Sequence, residues 1–323
     1  MLILYFVTGL ALALIVVAGL VLALSWAPDR PVAELAARWA GPPSKFIPIA
    51  RTPVHVRDEG PRDDPMPIVM LHGFGGSLYD WQGWADALKA EHRVISFDLP
   101  GFGLTGPSPD NDYTIESYLR FMRAALDKLS VKHCVLAGNS FGGLIAWRAA
   151  LAEPARVQRL ILIGAAGYEF KPDSVPLGLK LVLTPGIRGL LAHVGSRALV
   201  RASVRNLFGD LERVSPEFVD RQFEISLREG NRRARLEVLK QVHVGTSDAS
   251  LIAQLKQPTL LLWGRRDGLM PLRYAERFHR DIPSSTLVVL DSLGHVPQVE
   301  DPARTVAEVQ RFLSRHQVES PSA

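Results

Sequence analysis

Short apolar runs alternate with longer amphipathic stretches along this chain from about residue 46 onward. The runs are rich in Val, Ile and Leu, as strands covered on both faces of a sheet are. The stretches between them repeat apolar residues at helical spacing, and such alternation is typical of βαβ units. The sequence therefore predicts an α/β protein with a mostly parallel, doubly wound sheet. The predicted strands are Ile68–Leu71, Arg93–Phe97, Cys134–Ala137, Leu160–Ile163, Thr259–Trp263 and Leu287–Leu290, and the main helices are Ile115–Leu129, Phe141–Ala152, Arg273–Arg280 and Ala303–Leu313.

One long stretch interrupts the alternation. No comparable strand is predicted over residues 168–250, where helical patterns at Glu217–Arg228 and Arg232–Val242 dominate. A stretch of this length is too long for a structureless loop. The sequence therefore predicts a helical cap at 168–250 over one edge of the sheet. The cap divides a core of residues 46–167 and 251–316, and a short polar tail follows at 317–323.

The first 28 residues carry no charged side chain, and Leu2–Leu24 is almost wholly aliphatic. As a helix this segment is long enough to cross a bilayer. A cleaved signal peptide would have an apolar region of only about 7 to 15 residues behind a basic leader, and neither property is present. We therefore predict a transmembrane anchor at 1–28, joined to the core by a Pro-rich linker at 29–45. Basic residues follow the span and none precedes it, which favours a cytoplasmic catalytic body.

Composition excludes several classes of function. The 323 residues include 37 basic and 33 acidic side chains, a net charge of only +4, and no run of like charge long enough for a nucleic-acid arm. The single cysteine, Cys134, cannot close an intramolecular disulfide. The chain has no Cys/His cluster, and its Gly-rich loops match neither phosphate-binding fingerprint. We therefore expect no nucleic-acid partner, no metal and no organic cofactor.

The sharpest chemical signal is the sequence Gly138-Asn139-Ser140-Phe141-Gly142, which follows a predicted strand and begins a predicted helix. A serine at such a turn is held in a strained conformation that the small flanking residues must tolerate, so its hydroxyl stands clear of the sheet. Alone, the pentapeptide is also compatible with a Gly-rich turn and a structural serine. Ser140 is nevertheless the candidate nucleophile.

A serine nucleophile requires a base and an acid that orients the base. His295 follows the last predicted strand, at the edge of a parallel sheet where sites assemble. His243, in the predicted cap, remains a competitor for the base. Asp267 follows the strand Thr259–Trp263 and gives the chain order Ser, Asp, His. The alternatives for the acid are that Asp267 only pairs with the adjacent arginines, and that Asp291 takes its place.

The tetrahedral intermediate of such a reaction needs hydrogen-bond donors for its oxyanion. The Gly-rich loop 72–76 follows a predicted strand and has the small residues that let backbone N–H groups approach a ligand. We predict that the N–H groups of Phe74 and Phe141 are these donors. The alternative is a plain Gly-rich turn with a structural His72.

Together these motifs resemble the α/β-hydrolase fold superfamily, in its capped esterase, lipase and carbon–carbon hydrolase branch. The resemblance covers roughly Phe46 to the C-terminus. It implies that Ser140 is the nucleophile, Asp267 the orienting acid and His295 the base, and that the helical insert covers the active site. The matching motifs, in the family's order, are His72-Gly73-Phe74-Gly75-Gly76, Asp98-Leu99-Pro100-Gly101-Phe102-Gly103, Gly138-Asn139-Ser140-Phe141-Gly142-Gly143, Trp263-Gly264-Arg265-Arg266-Asp267 and Gly294-His295.

The sequence thus predicts a membrane-anchored serine hydrolase of lipid-like or aryl carboxylic esters. Cleavage of a carbon–carbon bond in a vinylogous diketone is an alternative with the same triad, and basic groups in the cap pocket would favour it. A catalytically silent, membrane-tethered binding protein is the alternative from another class. Residues 174–209 lack acidic side chains and combine arginines with leucines, which predicts either a membrane-binding cap face or ordinary cap helices.

Overall fold

The computed structural model describes residues 25–184, 194–242 and 249–316 and scattered positions among the first 24. The six predicted apolar runs form six strands of an eight-stranded sheet. The strand order is β1-β2-β4-β3-β5-β6-β7-β8. The pairs β1–β2 and β2–β4 are antiparallel, and the other five pairs are parallel. The predicted mostly parallel sheet is therefore confirmed. The strands are β1 Lys45–Ile49, β2 Thr52–Glu59, β3 Ile68–Leu71, β4 Val94–Phe97, β5 Cys134–Asn139, β6 Val157–Ile163, β7 Thr259–Gly264 and β8 Ser285–Leu290.

Strands β1 and β2 were not among the predicted strands. Strand β1 includes Pro48, and β2 mixes polar residues with Val54 and Val56, so neither contains a continuous apolar run. Strand β1 is an edge strand and is covered less completely than a central one, whereas β2 lies between β1 and β4.

Two helical layers cover the sheet. In β3, Val69 and Leu71 face one apolar cluster, whereas Ile68 and Met70 face another, as the alternation of side chains along a strand requires. Helices α3, α4 and α9 pack in the first cluster, and α2 and α11 pack in the second. The helices are α1 Val32–Trp39, α2 Gln82–Leu88, α3 Ile115–Lys128, α4 Phe141–Ala152, α5 Leu177–Leu183, α6 Arg197–Arg205, α7 Pro216–Ser226, α8 Asn231–Gln241, α9 Leu272–Asp281, α10 Pro297–Glu300 and α11 Pro302–Arg315, with short 3-10 turns at Leu78–Trp81, Leu211–Arg213 and Ala249–Gln254.

The chain between β6 and β7, here called the insert, contains α5 to α8. Two of these helices correspond closely to the predicted helical patterns, since α7 spans Pro216–Ser226 and α8 spans Asn231–Gln241. Helix α8 packs on the loop after β4, where Asn231 Nδ2 donates a 2.9 Å hydrogen bond to the carbonyl of Gly103. The insert therefore rests on a loop at the carboxyl edge of the sheet.

The segment from Ser25 to Trp39 runs along the insert. Arg30 N donates to Leu227 O at 2.7 Å, and Glu229 N donates to Arg30 O at 2.9 Å. The buried carboxylate of Glu224 accepts a hydrogen bond from Arg38 and a second, of 2.9 Å, from Trp39 Nε1. Part of the predicted linker is thus the helix α1, which is bound to the insert.

The predicted membrane anchor falls mainly on positions outside the described residues. Among the helices that are described, none combines the length and the apolar character that a membrane span requires. The anchor at 1–28 therefore stays a prediction.

The only cysteine of the chain, Cys134, begins β5 and is fully buried in the first apolar cluster. Burial raises the pKa of its thiol to about 12. Cys134 is therefore a packing residue of the core.

Candidate active site

Ser140 lies at the sharp turn between β5 and α4. Its backbone is in a left-handed region, with φ 54° and ψ −114°, which is a strained conformation for a residue with a side chain. Small neighbours make this turn possible: a Cβ atom on Gly138 would lie 2.3 Å from Gly142 O, and one on Gly142 would lie 2.3 Å from Leu71 O. The sequence thus folds into a strand-turn-helix that holds Ser140 at the start of α4.

Asp267 and His295 meet at the carboxyl ends of β7 and β8. His295 Nδ1 lies 2.8 Å from Asp267 Oδ2, and both side chains are buried. The other carboxylate oxygen of Asp267 accepts from the N–H groups of Leu269 and Met270, at 3.0 and 2.7 Å. These bonds fix the carboxylate as an acceptor, so Nδ1 of His295 carries the proton and Nε2 is left as the basic nitrogen.

The competitors of these residues lie elsewhere. The side chain of Asp291 is 73% exposed and pairs with Arg265, so Asp291 does not face His295. Asp267 makes no ion pair with Arg265 or Arg266 among the described residues, because Arg266 donates to Gly209 O. His243 lies outside the described residues.

Ser140 and the His295–Asp267 pair converge on one glycine. Ser140 N donates to Ile163 O at 2.9 Å, and a Cβ on the next residue, Gly164, would lie 3.1 Å from His295 Nδ1 and 3.0 Å from Asp267 Oδ2. Within the described part of the chain, no hydrogen bond joins Ser140 Oγ to His295. Such bonds are often long without substrate and tighten in the complex.

The Gly-rich loop 72–76 lies against Ser140. A Cβ on Gly73 would lie 3.2 Å from Ser140 Cβ. His72 is structural: its Nδ1 donates to Gly73 O at 2.8 Å, and its Nε2 accepts from Leu99 N at 3.0 Å. Burial lowers the pKa of His72, so the ring is neutral. The loop is therefore held in place by its own histidine.

The N–H groups of Phe74 and Phe141 make no hydrogen bond among the described residues. Phe141 is the first residue of α4, where an N–H lacks a partner within the helix. The ring of Phe102 contacts the rings of both, at centroid distances of 5.4 Å from Phe74 and 6.1 Å from Phe141. Neither predicted donor therefore has a hydrogen-bond acceptor among the described residues, and the rings of both residues pack against the buried ring of Phe102.

Sequence reasoning missed the importance of Asn139. Its buried amide nitrogen donates to Ile163 O and to His295 O, both at 3.0 Å. Its amide oxygen would lie 2.9 Å from a Cβ on Gly73. Asn139 therefore touches the elements that carry the base and the Gly-rich loop, and its position inside the serine motif was the available signal.

Glu300 was also missed. Its buried carboxylate accepts from Gly294 N at 2.6 Å and from Gly209 N at 2.8 Å. Burial raises the pKa of Glu300, against the opposing effect of these N–H groups. In addition, His295 N donates to Leu207 O at 2.7 Å. The insert is therefore attached directly to the loop that carries His295.

The candidate catalytic side chains are almost inaccessible to solvent. Ser140 is 7% exposed and His295 is 3% exposed. Two cavities, of about 160 and 190 Å³, are lined by other residues. No group of three or more His, Cys, Asp or Glu side chains among the described residues is arranged to hold a metal ion.

The comparisons with known proteins agree with this architecture. The family model of the α/β-hydrolase fold matches residues 66–302. The 2-hydroxy-6-oxo-2,4-heptadienoate hydrolase of Pseudomonas putida is 30% identical over 256 residues, which cover 77% of this chain and 89% of that protein. The chain belongs to the α/β-hydrolase family, and it is a hydrolase of that fold.

Two solved structures resemble the chain over most of its length. A meta-cleavage product hydrolase from Pseudomonas fluorescens has a TM-score of 0.71 and 26% identity, covering 84% of this chain and 97% of its own. A thermophilic esterase from Thermogutta terrifontis has a TM-score of 0.68 and 26% identity, covering 84% of this chain and 98% of its own. The similar proteins therefore include hydrolases of two kinds.

Proposed function

We propose that this protein is a serine hydrolase that cleaves carboxylic esters through an acyl-enzyme on Ser140. The hydrogen bond between His295 Nδ1 and Asp267 Oδ2, at 2.8 Å beside the strained turn of Ser140, is the observation that carries the proposal. Nε2 of His295 takes the hydroxyl proton as Ser140 Oγ attacks the carbonyl carbon, and returns it to the leaving alcohol. Water activated by the same nitrogen then cleaves the acyl-enzyme.

The oxyanion of each tetrahedral intermediate is stabilised by the N–H groups of Phe74 and Phe141. Two observations support this role: these N–H groups have no acceptor among the described residues, and Gly73 lies close to Ser140. Donors that are already oriented need no rearrangement as the negative charge develops, and one such donor typically contributes a factor of about 10² to 10³ in rate.

A second candidate is hydrolysis of a carbon–carbon bond in a vinylogous diketone. The heptadienoate hydrolase and the meta-cleavage product hydrolase favour it, whereas the esterase favours the first candidate. Both reactions require a nucleophile, a base and an oxyanion site. The triad alone therefore does not choose between them, and the chemistry of the substrate pocket must.

A labelling experiment followed by two substrate panels tests both candidates. We expect a fluorophosphonate to label the native protein and not the Ser140→Ala variant. The native protein should then hydrolyse p-nitrophenyl esters of some chain length. Labelling with turnover only of 2-hydroxy-6-oxo-dienoates would select the second candidate, and absence of labelling would favour a silent binding protein.

We also propose that residues 1–28 anchor the protein in a membrane, with the catalytic body on the cytoplasmic side and the basic face of the insert near the lipid. Support comes from the absence of charge in that segment and from the exposed side chains of Trp26 and Leu177, 56% and 44% accessible. Arg201 and Arg205 on α6 are exposed and make no ion pair among the described residues. Each basic group near anionic lipid contributes about 1 kcal/mol to binding.

Membrane fractionation tests the anchor. The full chain should remain in the membrane after alkaline carbonate washing, and a chain shortened to begin at Ser25 should be released. The shortened chain should bind anionic vesicles more strongly than neutral ones, and Arg201→Glu with Arg205→Glu should reduce that binding. Equal binding to both kinds of vesicle would leave the insert as a lid only.

A further inference from the structure

Two glycines bring the insert against the loop that carries His295. This loop between β8 and α10, residues 291–296, is here called the base loop, and residues 207–210 of the insert are called the docking segment. A Cβ on Gly294 would lie 2.5 Å from Gly209 N, and a Cβ on Gly209 would lie 2.7 Å from Gly294 N. A side chain at either position would meet the opposite backbone, so the close approach requires both residues to be glycine.

Glu300, the last residue of α10, binds both segments. Its Oε1 accepts a 2.6 Å hydrogen bond from Gly294 N in the base loop. Its Oε2 accepts from the docking segment, at 2.8 Å from Gly209 N and at 3.2 Å from Asp210 N. The side chain is buried, and no Lys or Arg of the described ranges forms an ion pair with it. The two oxygens of one carboxylate therefore join the base loop to the insert.

Two consecutive backbone N–H groups of the base loop depend on this junction. Gly294 N donates to Glu300, and His295 N donates to Leu207 O of the docking segment at 2.7 Å. For proton transfer, Nε2 of His295 must be aligned with the hydroxyl of Ser140. A displacement of about 1 Å in such an arrangement can lower a rate by about 10²-fold. The position of the base is thus set by one acceptor on α10 and one on the insert.

We propose that Glu300 is a positioning residue for the base, and that its carboxylate couples the alignment of His295 to the docking of the insert. This inference rests on the proposed serine hydrolase function, in which His295 is the base. Both oxygens are required, because an amide in their place has one oxygen and one NH₂ group. In Glu300→Gln the NH₂ group would face a backbone N–H, donor against donor, so either the base loop or the docking segment loses its acceptor.

Kinetics of Glu300→Gln in the full-length protein test the need for both oxygens. We expect kcat for a p-nitrophenyl ester to fall by about 10- to 100-fold with little change in KM, because the displaced group acts in proton transfer and not in binding. Glu224→Gln is the matched control. Glu224 is an equally buried glutamate of the insert, and its carboxylate binds Arg38 and Trp39 instead of the base loop.

The control variant should have a lower free energy of unfolding and an unchanged kcat. An equal fall of kcat in Glu224→Gln and Glu300→Gln would assign the effect to lost stability and would overturn the proposal.

Gly209→Ala tests the same junction from the side of the insert. The added methyl group would lie 2.5 Å from Ser292 O, so it must displace the docking segment from the base loop. We expect a fall of kcat here too. Because both changes break one junction, the double variant with Glu300→Gln should lose little more than either single variant. This arm decides the proposal if Glu300→Gln does not fold.

Gly195→Ala is the control for the glycine change, because a Cβ at this position of the insert would have its nearest neighbour 3.7 Å away. Its kcat should remain that of the native protein. A native kcat in Gly209→Ala, or losses that multiply in the double variant, would show that the base is aligned independently of the insert.

Proton NMR separates this inference from the proposed reaction. The Nδ1 proton of His295 lies in a buried hydrogen bond to Asp267, and its low-field resonance is the one absent from His295→Gln. In Glu300→Gln this resonance should shift or broaden. The resonance of the buried pair of His55 and Asp98 should not change, because neither residue is bonded to Glu300.

The NMR measurement needs no substrate, so its result would stand even if the native protein cleaved no ester. An unchanged His295 resonance in the folded Glu300→Gln variant would reject the positioning role.

Discussion

Two histidine–aspartate pairs lie in two different regions of this molecule with the same local geometry. His55 Nδ1 lies 2.8 Å from Asp98 Oδ2, and His295 Nδ1 lies 2.8 Å from Asp267 Oδ2. All four side chains are buried, and each carboxylate also accepts backbone N–H bonds. A buried pair of this kind is therefore not by itself a sign of catalysis.

The surroundings of the second ring nitrogen distinguish the pairs. His55 Nε2 has no hydrogen-bond partner among the described residues, and its ring lies near Phe46 and Tyr79, at 5.2 and 6.0 Å. His295 lies on a loop beside the turn of Ser140. For Asp98, burial opposes ionisation, yet the charge and hydrogen bond of His55 hold its pKa below the usual value. The first pair joins β2 to the loop after β4, and only the second lies beside Ser140, the proposed nucleophile.

Removing the nucleophile has the largest expected effect. Ser140→Ala should lower ester turnover by at least about 10⁴-fold, because only binding and oxyanion stabilisation remain. The free energy of unfolding should change little, since the hydroxyl makes no hydrogen bond among the described residues. Steady-state kinetics and denaturant unfolding of the same preparation measure both. Normal turnover in the folded variant would remove Ser140 from the mechanism.

Replacing Asp267 or Asp98 by asparagine should affect two different quantities, the turnover rate in the first variant and the stability in the second. Asp267→Asn should lower kcat by about 10⁴-fold, because an amide favours the wrong tautomer of the histidine. Asp98→Asn should instead lower the free energy of unfolding by about 3 kcal/mol, since it leaves His55 without its buried partner. Asp291→Asn is the control for the exposed acid. A larger loss of kcat in Asp291→Asn than in Asp267→Asn would move the acid to Asp291.

The amide of Asn139 joins the nucleophile turn to the base. Asn139→Ala should lower kcat by about 10²-fold with little change in KM, because a small displacement of His295 is sufficient to disturb proton transfer. The rate of fluorophosphonate labelling should fall in parallel. An unchanged labelling rate would show that the two hydrogen bonds of Asn139 contribute only to folding.

Asp80 is a third buried aspartate, and it has no histidine partner among the described residues. Burial raises its pKa from 3.8 to about 6, and the charge of Asp98 adds to the shift. At pH values between these two pKa values, the folded protein binds more protons than the unfolded chain. The contribution of Asp80 to stability therefore falls as pH rises from about 4 to 6 and is constant above about pH 6. Asp80→Asn should remove this loss and raise the free energy of unfolding at pH 8 by up to about 3 kcal/mol. Denaturant unfolding at pH 4 and pH 8 measures this gain in the free energy of unfolding. An equal gain at both pH values would show that it does not come from the ionisation of Asp80.

The six strands from β3 to β8 and the main helices could be predicted closely, because each of these strands contains a continuous apolar run. The helix at Phe141–Ala152 has the predicted bounds, and β3 does as well. Strands β1 and β2 could not be predicted from apolar runs, since Pro48 interrupts the first and His55 the second. Helix α1 was missed because it lies in the stretch interpreted as a Pro-rich linker, although Val32, Leu35 and Trp39 repeat at helical spacing.

For the site, chain order and strand ends sufficed to bring Asp267 and His295 together in prediction and structure alike. The roles of Asn139 and Glu300 depend on contacts between residues far apart in sequence, such as the hydrogen bond from Gly209 N to Glu300. A sequence does not display such contacts. The pair of His55 and Asp98 was also not predicted, since neither the order of the two residues in the chain nor their spacing indicates that they meet.

The burial of Cys134 makes the insert accessible to spectroscopy. Thiol reagents react with the thiolate, and a thiol with a pKa of about 12 supplies almost none at neutral pH. A cysteine introduced in place of the exposed Arg233 would therefore be the sole reactive thiol, without replacement of the native one. One fluorophore at that position would report, in real time, whether the surroundings of α8 change when a substrate binds.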